Sequence, residues 1–388
     1  MKFSRHQTIQ SELTPKRVLI IYGPRRVGKT TMLMSYLDEV KIKEPLAKSF
    51  YATGDDIALR DLFLTEDRTR LLDFARPYDI VAIDEAQNIP KLGIGIKMII
   101  DAFPEKRIIL TGSSSFDLSR EIGEPLTGRH FTMTLLPVAQ SEIEGSNFEK
   151  KQKLADFLVY GTYPEIVLET DANKKQKILN ELVSSYLFKD ILAFDRIRSP
   201  KLLLNIVRSL AFQVGGEVSL NEISRTVGAD VKTVGRYVDL LEKMFIIFRV
   251  GGFRRNLRTE ISKKAKYYFF DNGIRNAVIA QFNGLETRND IGALWENFVA
   301  VEVLKQNGIL GLNENLYFWR THAGKEIDLI RESARGLMAI ECKWSNRDIV
   351  APDEWTAAYP NSTFASINKE NYLETFERWS IELKKKGG

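Results

Sequence analysis

The chain has 388 residues, a length typical of two or three domains. With 44% hydrophobic and 28% charged residues it has the composition of a folded soluble protein, which excludes collagen-like and low-complexity architectures. Its apolar runs are too short for a membrane span, and its single cysteine, Cys342, excludes an internal disulfide and a cysteine-built zinc site. The first residues lack the apolar stretch of a signal peptide, so we expect a cytoplasmic protein with no membrane contact.

The net charge of +5 is concentrated in the middle of the chain. Residues 1–150 carry 21 basic and 21 acidic groups, residues 151–288 carry 23 and 15, and residues 289–388 carry 12 and 15. A basic surface attracts polyanions. If the protein binds a nucleic acid, we therefore expect the contact in the middle third.

Apolar strand patterns alternate with helical patterns in the first third of the chain. Two helical patterns, Lys29–Val40 and Leu59–Phe74, separate runs of strand length. Strands that alternate with helices predict a parallel sheet covered on both faces. This pattern ends near Pro137. The predicted strands are Val18–Tyr22, Phe50–Thr53, Ile80–Asp84 and Ile108–Thr111.

A glycine-rich segment follows the first predicted strand. Residues 23–30 read GPRRVGKT and match G-x-x-x-x-G-K-[ST] between a strand and a helix, as in P-loop proteins. Gly23 and Gly28 let the backbone N–H groups turn inward, where the helix N-terminus also attracts an anion. Lys29 can reach the β- and γ-phosphates of ATP, and the Thr30 hydroxyl can bind Mg²⁺. The predicted nucleotide-binding residues are Gly23, Pro24, Arg25, Arg26, Val27, Gly28, Lys29, Thr30 and Thr31.

Two acidic residues stand at the end of the third predicted strand. The segment DIVAIDE places Asp84 at the carboxyl end of a buried strand, where ligands bind in parallel sheets. We expect Asp84 to hold Mg²⁺, directly or through water. Glu85, beside it, is then the natural base to polarise the attacking water.

Small polar residues end the fourth predicted strand. Ser113 is our first choice for a hydroxyl near the γ-phosphate, and Thr111 is the second. The alternative is that the serines at this point cap the following helix.

These motifs resemble those of one clade of bacterial and archaeal AAA-type ATPases. The resemblance rests on GPRRVGKT, AIDEAQ and LTGSSS, and on LTGRHFTMTLLPVAQSE, which contains Gly128-Arg129 and continues from Leu136-Pro137 to Glu142. It implies that Arg129 is an arginine finger or a γ-phosphate sensor, which would stabilise transition-state charge. The alternative is an ordinary surface or packing arginine. The sequence leaves open whether Arg129 would serve its own subunit or a neighbour.

Helical spacing continues from residue 150 to about residue 214, and a different pattern follows. Within residues 217–270, two short amphipathic helices flank a turn at Gly228, which is the helix-turn-helix arrangement. The strands IIFRVGGF and KAKYYFFD would then form the wing of a winged helix. We place Lys232, Arg236 and Tyr237 on the solvent face of the second helix.

Basic groups with polar and aromatic neighbours suit phosphate contact. The alternative is a structural or oligomerisation module, because phosphate contact has no sequence signature of its own. The predicted nucleic-acid contacts are Lys232, Arg236, Arg254, Arg255 and Arg258, and the wing region also carries Lys263, Lys264 and Lys266.

The last hundred residues combine carboxylates with one lysine. Glu296 lies in a predicted helix, Asp328 in a strand, and Glu341 and Lys343 in another strand. Because side chains alternate along a strand, Glu341 and Lys343 point the same way. Carboxylates that converge on a divalent cation can orient water and neutralise a phosphodiester.

This order of residues resembles the PD-(D/E)xK restriction-endonuclease fold, which the ATPase clade named above often carries after a winged helix. The resemblance implies a nuclease-like site at Glu296, Asp328, Glu341 and Lys343, although no separate Pro-Asp pair is present. Glu326 is a further acid that could share the face of Asp328. The alternative is a fold retained for structure, with the carboxylates paired to Arg320, Lys325 or Arg331. His322 is more typical of a surface residue than of a ligand, since Mg²⁺ prefers oxygen.

The resulting prediction is an α/β chain of three parts: a P-loop ATPase domain (1–149), a helical and winged-helix segment (150–288) and a restriction-endonuclease-like domain (289–388). We expect an ATP-hydrolysing, Mg²⁺-dependent AAA-type ATPase coupled to a DNA-binding, nuclease-like domain. Two alternatives remain open. One is an ATPase switch that acts on a protein partner and has an inactive nuclease fold, and the other is an ATP-liganded DNA-binding regulator. A homo-oligomer is required if Arg129 acts in a neighbouring subunit.

Overall fold

The computed structural model describes residues 1–113, 125–185, 199–253, 264–321, 323–347 and 349–385, with the backbone alone at residues 264 and 382–385. The chain separates into two units, Arg5–Leu136 and a second unit made of Met1–Ser4 with Pro137–Gly388. Each unit has its own sheet. Among the described residues, no helix combines the length and the apolarity that crossing a bilayer requires.

A parallel sheet forms the centre of the first unit. Its described strands are β1 (Val18–Tyr22), β2 (Ser49–Thr53), β3 (Ile80–Asp84), β4 (Arg107–Gly112) and β5 (His130–Thr134). Their order is β2-β3-β4-β1-β5, and every pair of neighbours is parallel. The carboxyl ends of β1, β3 and β4 therefore meet at one edge of the sheet. The α/β fold with a parallel sheet that the sequence predicts is confirmed.

The strand β5 was not predicted. It pairs with β1 at the edge of the sheet, where Phe131 and Thr132 are exposed. Its residues therefore lack both the continuous apolar run of a central strand and a clear alternation.

The helices of the first unit depart from the prediction at one point. Residues 59–74 form two helices rather than one, because Glu66 has a φ of +51° and Asp67 caps a new helix by accepting N–H groups of Thr69 and Arg70. The described helices of this unit are α1 (Ile9–Glu12), α2 (Lys29–Lys43), α3 (Ile57–Leu64), α4 (Arg68–Ala75) and α5 (Leu92–Ala102).

The second unit begins with helices and continues with two helices flanked by strands. The described elements up to residue 278 are α6 (Asn147–Gln152), α7 (Leu154–Tyr160), α8 (Pro164–Leu168), α9 (Ala172–Val183), α10 (Pro200–Phe212), β6 (Glu217–Ser219), α11 (Leu220–Val227), α12 (Val231–Lys243), β7 (Ile247–Gly252), β8 (Lys264–Phe269) and α13 (Asn272–Val278). Gly228 ends α11 in the left-handed conformation, and Asp230 caps α12.

A long buried helix and further strands complete this unit. The described elements are α14 (Ile291–Ile309), β9 (Asn315–Arg320), β10 (Glu326–Ser333), β11 (Gly336–Cys342), α15 (Asp353–Ala358), β12 (Thr363–Ile367) and α16 (Tyr372–Lys385). Trp295 on α14 and Trp355 on α15 are fully buried.

One mixed sheet joins the middle of the chain to its end. The described strands follow the order β12-β11-β10-β9-β7-β8-β6. The strands β7 and β9 are parallel neighbours through Gly251 with Tyr317 and Gly252 with Phe318. The boundary predicted near residue 288 therefore falls inside one unit. The three domain ranges given above remain a prediction.

A buried ion pair on α14 holds the segment that begins at Pro137. The ammonium of Lys305 lies 2.7 Å from Glu302 and donates hydrogen bonds to the Val138 carbonyl and the Thr162 hydroxyl. The other oxygen of Glu302 accepts the Gln140 N–H at 2.8 Å. The Leu-Pro-x-x-x-x-Glu segment is thus tied to the core of the second unit by charge-assisted hydrogen bonds.

Candidate functional site

The glycine-rich loop has the geometry of an anion cradle. Gly23 has a φ of +150°, and a Cβ there would lie 2.0 Å from the Leu135 carbonyl oxygen, so only glycine fits. Gly28 has a φ of +96° and caps α2 in the left-handed conformation. The first N–H groups of α2 therefore face the loop, where a phosphate would find unsatisfied donors and the positive end of a helix.

Lys29 is folded back onto this loop. Its ammonium donates to the carbonyls of Gly23 at 2.9 Å and Pro24 at 2.8 Å, and the residue is 5% exposed. Burial lowers the pKa of Lys29 to about 8, against the opposing influence of Glu85 and Asp84. The side chain is thus a desolvated cation held by two neutral acceptors, which an anionic phosphate would replace.

Asp84 joins three elements at the carboxyl edge of the sheet. Its Oδ2 accepts the Thr30 hydroxyl at 2.6 Å, and its Oδ1 accepts the Thr111 hydroxyl. Tyr51 on β2 also hydrogen-bonds to this carboxylate, and burial is the main cause of the raised pKa of Tyr51. The predicted pair of Thr30 and Asp84 is thus assembled, and both residues offer the oxygen ligands that Mg²⁺ prefers.

Glu85 follows in a constrained backbone conformation. Its φ of +48° is uncommon for a non-glycine residue. Its N–H is shared between Asp84 Oδ1 and Thr111 Oγ1, both at 3.2 Å. The Gln87 side-chain amide donates to the Glu85 carboxylate and, at 3.2 Å, to Ser113 Oγ. Glu85 and Ser113 therefore lie on either side of one amide group at the same edge.

The remaining loop residues divide by exposure. Arg25, Arg26 and Thr31 are exposed, whereas Val27 is buried and its carbonyl accepts a hydrogen bond from Arg5 at 2.7 Å. Arg5 thus braces the loop from the preceding segment, a contact that no sequence motif indicates.

Arg129 lies beside the amino end of β1, whereas the loop follows the carboxyl end of that strand. Its carbonyl accepts the N–H of Val18, the first residue of β1. A five-residue strand is about 16 Å long, beyond the reach of an arginine side chain. Its guanidinium pairs with Asp101 at 2.7 Å and lines an open cleft of about 630 Å³. Arg129 therefore does not reach the loop of its own chain.

Sequence reasoning missed two side chains of this edge, Gln87 and Tyr51. The signal for Gln87 was present in the AIDEAQ segment, two residues after Glu85. Thr111 was the second candidate, after Ser113, for a hydroxyl near the γ-phosphate. Its hydroxyl instead donates a hydrogen bond to Asp84. Tyr51 could not have been found, because its place beside Asp84 follows from the pairing of β2 with β3.

The predicted nucleic-acid contacts are described in part. Lys232 and Arg236 are exposed and lie one turn apart on α12. Tyr237 is 3% exposed, so its expected place on the solvent face is wrong, because Tyr237 joins Val234 and Val238 on the packed side of the helix. Arg254, Arg255, Arg258 and Lys263 lie outside the described residues, as does His322.

Lys266 is not part of a basic surface. It is 1% exposed on β8, and its ammonium lies 2.9 Å from Glu296, 2.7 Å from Glu326 and 3.8 Å from Asp328. The three carboxylates keep the pKa of Lys266 raised against the opposing effect of burial, which is the largest single influence. Burial in turn raises the pKa of Glu296 to about 7.

Two of the predicted nuclease-like residues, Glu296 and Asp328, come together around this lysine, and the other two, Glu341 and Lys343, lie beside Asp328. Glu296 also accepts the Tyr268 hydroxyl at 2.6 Å, and Asp328 accepts the Cys342 N–H at 2.8 Å. Glu341 pairs with Lys343 at 2.6 Å. We refer to Glu296, Glu326, Asp328 and Glu341 as the carboxylate cluster.

Arg320 and Arg331, two of the residues that the alternative reading pairs with these carboxylates, have other partners. Arg320 pairs with Glu217, and Arg331 with Glu314, both at 2.7 Å. Lys266 pairs with the cluster instead. It lies on β8, and β7 and β9 connect β8 in one sheet to β10, which carries Glu326 and Asp328.

Comparisons of the sequence with protein families identify three segments. A sequence model described as an AAA domain matches residues 15–144. Models of domains of unknown function match residues 151–286 (DUF8612) and 291–362 (DUF4143). The first match and the geometry of the loop support an ATPase of the AAA type.

Similar proteins that match about four-fifths of the chain occur in bacteria and archaea. An uncharacterised protein of Haemophilus influenzae is 25% identical over 343 residues, which cover 84% of this chain and 82% of the relative. One of Methanocaldococcus jannaschii is 27% identical over 335 residues, with coverages of 81% and 72%. A third, of Mycobacterium tuberculosis, is 25% identical over 323 residues, with coverages of 81% and 67%.

Solved structures of the replication initiator DnaA are similar over part of the chain. AMPPCP-bound DnaA from Aquifex aeolicus is 18% identical with a TM-score of 0.29, and DnaA bound to AMPPCP and single-stranded DNA is 16% identical with a TM-score of 0.32. Each match covers 60% of this chain and 84% of the DnaA chain.

Proposed function

We propose that this chain binds Mg·ATP at residues 23–31 and hydrolyses it. The observation that carries the proposal is the hydrogen bond of 2.6 Å between the Thr30 hydroxyl and Asp84, beside a buried Lys29 whose ammonium lies on the loop carbonyls. Thr30 and Asp84 would hold Mg²⁺, which would supply positive charge against the phosphates when bound. Thr30 and Asp84 supply the oxygen ligands that such an ion needs.

Each remaining residue then has a distinct role. Lys29 exchanges its two carbonyl acceptors for phosphate oxygens, and the N–H groups of the loop complete the cradle. Glu85 holds and polarises the attacking water and takes up its proton. Ser113, linked to Glu85 through Gln87, contacts the γ-phosphate.

Two substitutions test the hydrolysis proposal. We expect Glu85→Gln to lower kcat by about 10²–10⁴-fold while ATP binding persists, because only the general base is lost. Lys29→Ala should abolish tight ATP binding. Glu39→Gln, an exposed residue on α2, makes the same chemical change away from the site and should keep the wild-type rate. Turnover by Glu85→Gln at the wild-type rate would refute the role of Glu85.

We extend the proposal to a contact between α12 and DNA. Lys232 and Arg236 are exposed on neighbouring turns, and the two helices before the β7–β8 pair have the order of a winged helix. Phosphate contacts release counterions, so binding should weaken as salt rises.

The contact is tested by the salt dependence of duplex DNA binding. Replacing Lys232 and Arg236 with Gln should lower the slope of log K against log salt by about 2, one contact for each residue. Replacing Lys174 and Lys177 on α9 removes the same charge from another exposed helix and should leave the slope unchanged. Equal slopes for the α12 variant and the wild type would contradict the proposal.

Two functions are candidates for the second unit. It could be a nuclease, or it could be a switch that acts on a protein partner. The pairing of Lys266 with Glu296 and Glu326 favours the switch, because a nuclease of this type needs carboxylates that are available to a metal ion. We expect the purified protein to leave DNA and RNA uncut with Mg²⁺ or Mn²⁺, with and without ATP. Cleavage of DNA or RNA that is lost in the Asp328→Ala variant and kept in the Lys29→Ala variant would instead establish a nuclease.

A further inference from the structure

Lys266 lies where a nuclease of the predicted type would hold a divalent metal ion. We propose that the Lys266 ammonium is a permanent internal cation that replaces a divalent metal ion in the carboxylate cluster. The proposal concerns the second unit alone, so it stands or falls independently of ATP hydrolysis in the first.

The position of the ammonium is that of a shared counter-ion. Its Nζ lies within 3.0 Å of carboxylate oxygens from both α14 and β10, Glu296 at 2.9 Å and Glu326 at 2.7 Å, and it lies 3.8 Å from Asp328. An ammonium group has three donors and one positive charge, so it can satisfy several carboxylates at once. A metal ion at this point would have to displace a residue that is 1% exposed.

The backbone of Lys266 is fixed in the sheet by strands on both sides. The strand β8 pairs with β7 on one side and with β6 on the other, and Lys266 itself is in register with Glu217 and Val250. Tyr268, two residues along the same face of β8, is fully buried and donates its hydroxyl to Glu296. Two adjacent side chains of one strand therefore occupy the cluster.

Two further oxygen atoms of the cluster have partners of their own, and a third lies close to the backbone. A Cβ on Gly215 would lie 3.1 Å from Glu296 Oε2, so the backbone covers this carboxylate closely. Asp328 Oδ2 accepts the Cys342 N–H, and Glu341 is paired with Lys343. Among the residues that the structure describes, no group of three or more His, Cys, Asp or Glu side chains is arranged to hold a metal ion.

Charge explains why a lysine suits this place. Buried carboxylates need a cation or hydrogen-bond donors, and direct contact with all the carboxylates of the cluster would require Mg²⁺ to shed most of its water, which it does reluctantly. Lys266 and Tyr268 supply them from the protein itself. The donor set therefore does not fit Mg²⁺, and metal-dependent phosphodiester cleavage has no place in the second unit.

The wild-type protein allows a direct test by iron-directed cleavage. Fe²⁺ takes the place of Mg²⁺, and with ascorbate and peroxide it cuts the backbone near its binding site. With ADP present we expect cuts close to Thr30 and Asp84, which serve as the internal control, and no cuts close to Asp328 and Glu341. Cuts near Asp328 or Glu341 that excess Mg²⁺ suppresses would overturn the proposal.

Removal of the lysine provides the converse test, with Mn²⁺ as the probe. In the 388-residue chain with Asp84→Asn, which silences the first unit, we expect Lys266→Met to bind one additional Mn²⁺ by electron paramagnetic resonance. Addition of Asp328→Asn should remove this ion, and Lys325→Met, a nearby exposed lysine, should gain none. A folded Lys266→Met chain that gains no Mn²⁺, or a Lys266-containing chain that binds it through Asp328, would contradict the proposal. If Lys266→Met does not fold, the iron cleavage map of the wild type decides.

Discussion

At the scale of single residues, Lys29 connects burial to ligand binding. Its pKa of about 8 arises because the folded chain desolvates the ammonium and offers it only carbonyl acceptors. Phosphate oxygens would supply negative charge at the same place and raise the pKa again.

ATP binding should therefore be coupled to proton uptake by Lys29. At pH 8 the free protein holds this proton about half of the time, so binding should take up about half a proton. Calorimetry in two buffers of different ionisation enthalpy measures the uptake. The binding enthalpy should differ between the buffers at pH 8 and agree at pH 6.5, where Lys29 is already protonated. Equal enthalpies at pH 8 would contradict this reasoning.

Thr111 orients the predicted Mg²⁺ ligand without binding the ion. Its hydroxyl donates to Asp84 and accepts the Glu85 N–H. We expect Thr111→Val to weaken the apparent Mg²⁺ affinity by about 10–100-fold, as is usual for residues that position a ligand. The measurement is the Mg²⁺ concentration that gives half-maximal ATP hydrolysis. Thr132→Val, on the exposed edge strand β5, is the matched control and should leave that concentration unchanged.

At the scale of elements, Asp271 joins two helices of the second unit. It caps α13 through the Ile274 N–H and accepts the Thr162 N–H, which follows α7. A Cβ on Gly161 would lie 1.9 Å from Asp271 Oδ1, so the two chain segments are in close contact. Burial raises the pKa of Asp271 to about 6, although Lys305 and the N–H donors oppose this.

Stability should therefore rise as the pH falls from 7 to 5. Because the folded state holds the Asp271 proton at a higher pH than the unfolded state does, protonation favours folding in this range. Asp271 should contribute on the order of 1 kcal/mol of this gain in the free energy of unfolding, beside the contribution of Glu296, whose pKa is also raised, and Asp271→Asn should remove the Asp271 share.

Urea unfolding at the two pH values measures this difference. Asp230→Asn is the control, since hydrogen bonds from Thr233 hold the pKa of that exposed cap below its usual value and outside the range. An unchanged pH dependence in Asp271→Asn would show that another group is responsible.

At the scale of the whole molecule, Arg129 raises the question of assembly. Since its guanidinium lies at the edge of the sheet opposite the loop, a catalytic role requires the nucleotide of a neighbouring chain. Such a role predicts complementation between two inactive variants, Lys29→Ala and Arg129→Ala. In a mixture, the Lys29→Ala chain would supply Arg129 to the intact loop of its neighbour.

The prediction is ATPase activity in the mixture that neither variant shows alone and that rises with protein concentration. Arg76→Ala, which removes an exposed arginine elsewhere in the first unit, should be as active as the wild type without mixing. Full activity of Arg129→Ala alone would show that Arg129 is an ordinary surface residue.

Sequence alone determined much of the first unit, because its signals are local. The run from Gly23 to Thr31 needs only a strand before it and a helix after it, and Asp84 needs only a buried strand before it. The same periodicity predicted the central strands, but it could not reveal β5, whose exposed side chains carry no apolar pattern.

Tertiary structure alone decided which distant residues meet. The parallel pairing of β5 with β1 placed Arg129 at the end of the strands away from the loop, and the pairing of β2 with β3 brought Tyr51 beside Asp84. The pairing of β7 with both β8 and β9 carried Lys266 into the carboxylate cluster, thirty residues from Glu296 and sixty-two from Asp328. Side-chain alternation tells which residues share a face of a strand, but only the assembled sheet tells what that face contacts.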